Sequence, residues 1–189
     1  LNKKNILVTF HPVTLENNTA EEQFQELLNA IDKLEDTDII FTKANSDTDG
    51  RVINLMIDEY VSKNKDKSIC FTSLGQLRYL SALQHMNAVV GNSSSGLAEA
   101  PSFKIATINI GDRQKGRVKA SSVVDCEPNR KSILEAFGRI YSDKFQQNLK
   151  NTINPYGNKF ASKKIVEIIK KTDLTSILKK SFYDLRVNL

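Results

Sequence analysis

Over the first 110 residues, short apolar runs alternate with longer stretches in which apolar positions recur every three or four residues. Asn5-Ile-Leu-Val-Thr-Phe10 reads as a buried strand, and behind it Phe24, Leu27, Leu28, Ile31 and Leu34 fall on one helix face. Thr19 with Glu22 three residues later has the spacing of a capping box that starts this helix. The alternation continues with strand Asp38 to Thr42, a helix through Val52, Ile53, Met56 and Tyr60, strand Ser68 to Thr72, and a helix through Leu77, Leu80, Leu83 and Met86. Ala88-Val-Val90 predicts a fourth strand running into a turn at Gly91 to Gly96, Ile105 to Ile110 a fifth, and Ser121 to Asp125 a sixth. Strands separated by helices of this length require right-handed crossovers, so the expected class is α/β, a doubly wound parallel sheet covered on both faces. Past residue 128 the pattern turns helical, at Ile133 to Ile140, Phe145 to Ile153, Phe160 to Ile169 and Leu174 to Leu185. The region 129–189 is expected to cover the sheet or reach toward another domain. With no linker, repeat or low-complexity segment in sight, residues 1–189 are expected to form one domain.

In such a sheet the ligand lies at the carboxyl ends of the strands, in the loops that enter the helices. Gly91-Asn-Ser-Ser-Ser-Gly96 stands between an apolar strand and the helix start Leu97-Ala-Glu-Ala100. Small residues admit a ligand close to the backbone, and a helix N-terminus with three hydroxyls makes an anion cradle suited to phosphate; a plain serine N-cap turn has the same spelling. A nucleophile elbow fails because position 95 is Ser, and a P-loop fails because Leu97 stands where Lys is needed. No Gly-x-Gly occurs, which removes the dinucleotide fingerprint. Glu99 is near enough to the cradle to accept from the vicinal hydroxyls of a ribose, or is an ordinary helix glutamate. Gly111-Asp-Arg-Gln-Lys-Gly-Arg117 carries three cations after the fifth strand, and Arg113 and Arg117 can clasp phosphate oxygens in bidentate fashion; otherwise it is a solvated basic loop. His11, fixed by Pro12 after the first strand, can donate to a phosphate, carry a proton, or merely cap backbone. His85 reads as structural. Asn45 to Gly50 resembles a calcium loop but has Met56 where the closing Glu belongs, so a polar loop offering one amide is the better reading.

The remaining composition mostly excludes. Forty per cent hydrophobic and 26% charged residues rule out intrinsic disorder. No apolar run approaches the roughly 20 residues of a membrane span. Leu1-Asn-Lys-Lys4 leads straight into the first strand without a secretory signal, and the missing initiator Met suggests a piece of a longer protein. Two cysteines and two histidines, none closely paired, predict no metal site, and Cys70 and Cys126 read as small buried residues of a reducing, cytoplasmic compartment. The net charge of +5 points to nucleic acid only until it is located. Residues 1–130 hold 15 Lys/Arg against 17 Asp/Glu, whereas 131–189 hold 12 against 5. Those C-terminal lysines come in pairs on helical segments without aromatic residues between them, which excludes base stacking.

Taken together, His11-Pro-Val-Thr14, Gly91-Asn-Ser-Ser-Ser-Gly-Leu-Ala-Glu-Ala-Pro101 and Ile108-Asn-Ile-Gly-Asp-Arg-Gln-Lys-Gly-Arg117 resemble the C-terminal half of the hydrolysing UDP-N-acetylglucosamine 2-epimerases of sialic-acid-type pathways, in order over residues 5–170. The resemblance implies a GT-B architecture, two Rossmann-like domains with nucleotide between them, of which this chain is the UDP-holding one. It implies His11 and Arg113 at the diphosphate as the leaving-group residues, Ser93 and Ser94 on phosphate, Glu99 on the ribose, Asn45 on the nucleotide and Thr72 at the uracil, across an apparent two-residue insertion. Arg117 joins them from the basic loop. The implied reaction eliminates UDP to an unsaturated 2-acetamidoglycal and hydrates it to N-acetylmannosamine or a 2,4-diacetamido analogue, with no metal or nicotinamide cofactor. The acids and bases acting at C2 and C3 would belong to a missing N-terminal domain, so the fragment alone would bind UDP and turn over nothing. A GT-B glycosyltransferase domain and a non-catalytic nucleotide-sugar-binding module are the alternatives, and a homo-oligomer is compatible with all three.

Overall fold

The computed structural model describes residues 4–13, 19–45, 49–157, 160–175 and 178–179. Six strands form one sheet: β1 (Lys4–Thr9), β2 (Thr37–Thr42), β3 (Ser68–Phe71), β4 (Ala88–Gly91), β5 (Ala106–Ile110) and β6 (Val123–Cys126). Every pairing is parallel and the order is β3-β2-β1-β4-β5-β6. The chain therefore winds outward from β1 to β3, then returns to the far side of β1. Side chains alternate across the pleat. Ile6, Val8 and Phe10 enter one core with α1 (Ala20–Ile31), α2 (Gly50–Lys63) and α5 (Arg130–Ile140), while Leu7 and Val89 enter a second core with α3 (Gly75–Leu83). Burial on both faces explains why β1 and β4 read as unbroken apolar runs rather than alternating ones.

The predicted α/β class and all six strands are present. The capping box is not: Thr19 makes no capping hydrogen bond to α1, and its hydroxyl accepts from Gln23 Nε2 at 3.1 Å instead. Side-chain caps occur later, where Asn129 accepts from Ser132 N and Ser142 from Phe145 N, opening α5 and α6 (Asp143–Leu149). The packing separates Leu1–Gly157 from Asn158–Leu189 as two compact units. In the second, α7 (Ala161–Lys171) carries the Lys163-Lys164 and Lys170-Lys171 pairs, and all of its residues are exposed. Leu174 and Thr175 are not helical, and the rest of the expected 174–185 helix lies mostly outside the described residues. Cys70 and Cys126 are free. They sit on the two edge strands, five strand spacings of about 4.8 Å apart, far beyond disulfide reach.

Candidate functional site

The strand order reverses between β1 and β4, and the loops leaving these strands diverge there to open a crevice at the carboxyl edge of the sheet. A cavity of about 460 Å³ lies at this edge. Thr9 and Thr42, opposite each other in register, line it and join through their hydroxyls. His11, Asn45, Thr72, Ser93 and Glu99 also line it. Ser94 and Arg117 are exposed and are not among the lining residues. Arg113 stands beside the cavity wall: its Nη1 donates to the Asn92 carbonyl at 3.1 Å, one residue before Ser93. The serine loop and the basic loop, distant in sequence, thus meet.

Asn92 joins the loops, and nothing in the sequence singled it out from its neighbours. It is 1% exposed. Its Oδ1 accepts from His11 N and its Nδ2 donates to His11 O, both at 2.8 Å, while its own N–H donates to Thr9 O at 3.2 Å. Its carbonyl takes Arg113 and also Gln114 Nε2, at 2.8 Å. Asn45 N donates to His11 Nδ1 at 3.3 Å, which leaves the ring proton of the neutral imidazole on Nε2. Four loops, after β1, β2, β4 and β5, are therefore tied by one set of hydrogen bonds. Gln114 was the second omission: flanked by cations in the sequence it looks solvated, yet it is 2% exposed.

Glycine spacing lets the serine loop approach β1. At Gly91, with φ 131°, a Cβ would fall 1.9 Å from the Thr9 carbonyl oxygen. The helix that follows is short. Only one turn forms, α4 (Ser95–Ala98), succeeded by a 3₁₀ turn at Ala100–Phe103 with Pro101 near its start. A dipole summed over one turn is small, so charge complementarity at this site falls to hydroxyls, local amides and Arg113. Glu99 caps α4 from the C-terminal side rather than lying inside a helix.

Glu99 Oε2 is buried and has no hydrogen-bond partner among the described residues, although Glu99 lines the cavity. A buried carboxylate oxygen in that state costs free energy until a donor arrives. Next to it Tyr79 shares a hydrogen bond with Ser95 Oγ. Burial pushes the Tyr79 phenol up, the Ser95 bond opposes this, and the Glu99 charge adds to it, so the phenol stays protonated at neutral pH. Tyr79 had no sequence signal, since its spacing on α3 matches an ordinary core position. Lys43 also lines the cavity, but its Nζ is held by Asp58 Oδ2 at 2.7 Å. Asn45 is described, whereas residues 46–48 of the calcium-like loop lie outside the described residues. Among the described residues, no cluster of His, Cys, Asp and Glu could hold a metal ion, and no helix is long and apolar enough to cross a membrane.

The model of the UDP-N-acetylglucosamine 2-epimerase family matches residues 1–170. A hydrolysing GDP/UDP-N,N'-diacetylbacillosamine 2-epimerase of Campylobacter jejuni is 42% identical over 186 residues, 98% of this chain and 48% of that protein. The polysialic acid biosynthesis protein P7 of Escherichia coli is 37% identical over 169 residues, 89% of this chain and 43% of that protein. Among solved structures, the S. aureus MnaA–UDP co-structure superposes with a TM-score of 0.69 at 21% identity, covering 89% of this chain and 45% of that one. The chain thus spans about half the length of the relatives it matches, and its sheet with helices on both faces is one half of a GT-B fold. A family model covering most of the sequence, together with a relative 42% identical across 98% of it, shows that this chain belongs to the UDP-N-acetylglucosamine 2-epimerase family.

Proposed function

We propose that residues 1–157 hold the UDP moiety of a UDP-sugar, and that the protein they belong to is a hydrolysing 2-epimerase. The observation that carries this is the joining of the loops through Asn92, which sets Arg113, the Ser93 hydroxyl and His11 around one crevice with the orphaned Glu99 oxygen in its wall. A diphosphate fits the cationic and hydroxyl side, and vicinal ribose hydroxyls are the donors Glu99 lacks. Asn45 and Thr72 line the same cavity farther along the sheet edge and are suited to the base end of the nucleotide. Ser94 and Arg117 are exposed, and their contribution is to the rim.

The chemistry follows from the charge that develops. Elimination removes the proton from C2 of the sugar and breaks C1–O, leaving the 2-acetamidoglycal and placing the bond's electron pair on the departing UDP. Arg113, the Ser93 hydroxyl and the His11 Nε2–H stabilise that growing negative charge more than the ground state, which lowers the barrier. Hydration of the glycal on the opposite face then yields the 2-epimer. No cofactor enters these steps, and the groups acting at C2 and C3 are assigned to the part of the enzyme beyond this chain. Identity to the Campylobacter enzyme favours a 2,4-diacetamido sugar over N-acetylglucosamine. Free thiols at Cys70 and Cys126 suit a cytoplasmic enzyme.

Calorimetric titration of UDP into the protein tests the nucleotide reading. Arg113→Ala should weaken binding by about 1.5 to 3 kcal/mol, as expected for a lost charged hydrogen bond, and unchanged affinity would remove Arg113 from the site. Incubating the full-length enzyme with UDP-sugar and no acceptor, then identifying the free sugar, separates an epimerase from a glycosyltransferase or a binding module.

A further inference from the structure

The turn Asn154-Pro-Tyr-Gly157 takes no part in the proposed UDP contacts, yet it touches both flanks of the site. Asn154 Nδ2 donates to Ala98 O at 2.7 Å and to Ser102 Oγ at 2.6 Å. Ala98 and Ser102 bracket Glu99. The other end of the same amide accepts from Tyr156 N at 2.9 Å, and Gly157 N closes onto Asn154 O at 3.2 Å, so every hydrogen-bonding group of Asn154 apart from its backbone N–H is engaged. Tyr156 then reaches the other way, its hydroxyl donating to Val118 O at 2.9 Å, directly after Arg117.

The basic loop needs such a tether. It is anchored near its start by Arg113 and Gln114 on the Asn92 carbonyl, and at its end by Lys119, whose Nζ bonds both carboxylate oxygens of Asp125 at 2.8 Å. Between these anchors the backbone, among the described residues, turns upon itself, Lys115 N to Asp112 O and Arg117 N to Gln114 O. Among the described residues, Tyr156 supplies the side-chain bond that ties this arm to another element. The segment carrying the turn is itself fastened, since Lys104 Nζ donates to Lys150 O at 2.7 Å and Ser121 and Thr152 share hydroxyls at 3.3 Å.

We infer that the Asn154–Gly157 turn is a clasp, in which Asn154 positions the Glu99 carboxylate and Tyr156 positions the arm of the basic loop, so that the ribose-side and phosphate-side walls are held in one geometry. Both are positioning residues, since neither touches the proposed ligand. The inference rests on the UDP reading above and adds how the site is kept assembled.

Calorimetry with UDP, 2′-deoxy-UDP and uridine tests it on the wild type, Asn154→Ala, Tyr156→Phe, and Asn154→Ala in a Glu99→Ala background. Asn154→Ala should weaken UDP about five- to tenfold, the scale of one or two lost hydrogen bonds, and should shrink the preference for UDP over 2′-deoxy-UDP. In the Glu99→Ala background the same change should have no further effect. Tyr156→Phe should weaken UDP while leaving uridine unchanged. An undiminished ribose preference in Asn154→Ala, or an equal loss with and without Glu99, would overturn the Asn154 half. Equal losses for UDP and uridine in Tyr156→Phe would overturn the other. Should Asn154→Ala fail to fold, Ser102→Ala removes one acceptor of the same brace and is held to the same ribose criterion. A wild type that binds no UDP rejects the parent reading and this one with it, an outcome visible before any variant is made.

Discussion

Gly91 ends β4 and Gly111 follows the neighbouring β5, both with positive φ, at 131° and 69°, and they differ in one respect that can be measured. A Cβ at Gly111 meets nothing within 4 Å, whereas at Gly91 it would sit 1.9 Å from the Thr9 carbonyl oxygen. Gly111→Ala therefore costs only the left-handed backbone, about 1 to 2 kcal/mol. At Gly91 an alanine must strain a glycine-only conformation, about 1 to 3 kcal/mol, and also push the backbone back by an ångström or more. That displacement falls on Asn92, whose N–H bonds Thr9 O and whose amide spans His11. Losing two or three of those bonds at about 1 kcal/mol each brings Gly91→Ala to roughly 3 to 6 kcal/mol, a large share of the 5 to 15 typical of a domain. Urea unfolding of both variants gives the costs, and titration of UDP into whatever remains folded reports the site. Gly111→Ala should keep most of its stability, while Gly91→Ala loses both stability and UDP affinity. A cost below about 1.5 kcal/mol for Gly91→Ala, or wild-type UDP affinity in it, would refute the close approach of the serine loop to β1.

Asn92→Ala removes the two hydrogen bonds from its amide to the buried His11 backbone and should cost about 1 to 3 kcal/mol in urea unfolding; less than about 0.5 would show that the loops hold together without it. A hydrogen bond from Lys43 holds the Asp58 carboxyl below its usual range. With a depressed folded-state pKa, its stabilisation is present above the unfolded value of about 3.9 and fades as pH falls through the folded one. Asp58 is half exposed, so Asp58→Asn should cost less than about 1 kcal/mol at pH 7 and converge on the wild type toward pH 2; a gap unchanged at pH 2 would contradict the pairing. Burial, with Asp125 and Glu127 close by, pushes the Cys126 thiol up to about 12. Alkylation followed by mass spectrometry at pH 8 should label it far more slowly than a free thiol, and equal rates would show the sulfur is not shielded.

Hydrophobic period was enough to read the six strands and the doubly wound class, because both faces of a parallel sheet must be buried and each crossover needs a helix. The spelling of Gly91 to Gly96 and Gly111 to Arg117, together with the resemblance they carry, pointed to the loops at the sheet edge, and those loops meet at the cavity proposed above to hold UDP. The capping box at Thr19 failed because spacing alone does not choose a hydroxyl's partner, and here the hydroxyl takes Gln23, whereas the helix after the serine loop forms and stops short just before Pro101. Cys70 and Cys126 illustrate the same limit, since strand order alone placed them on opposite edges.

What sequence determined here is what depends on neighbours three, four or seven residues away, namely period, turn chemistry and the residue types each loop offers. Tertiary structure alone decided that Asn92 would span His11, that Gln114 would be buried among cations, that Glu99 Oε2 would have no donor among the described residues, and that a turn at Asn154 would brace residues more than fifty positions earlier. Those are hydrogen bonds between groups brought together by the sheet, and their strength lies in water being excluded once the sheet has formed, a condition no local window of residues can express.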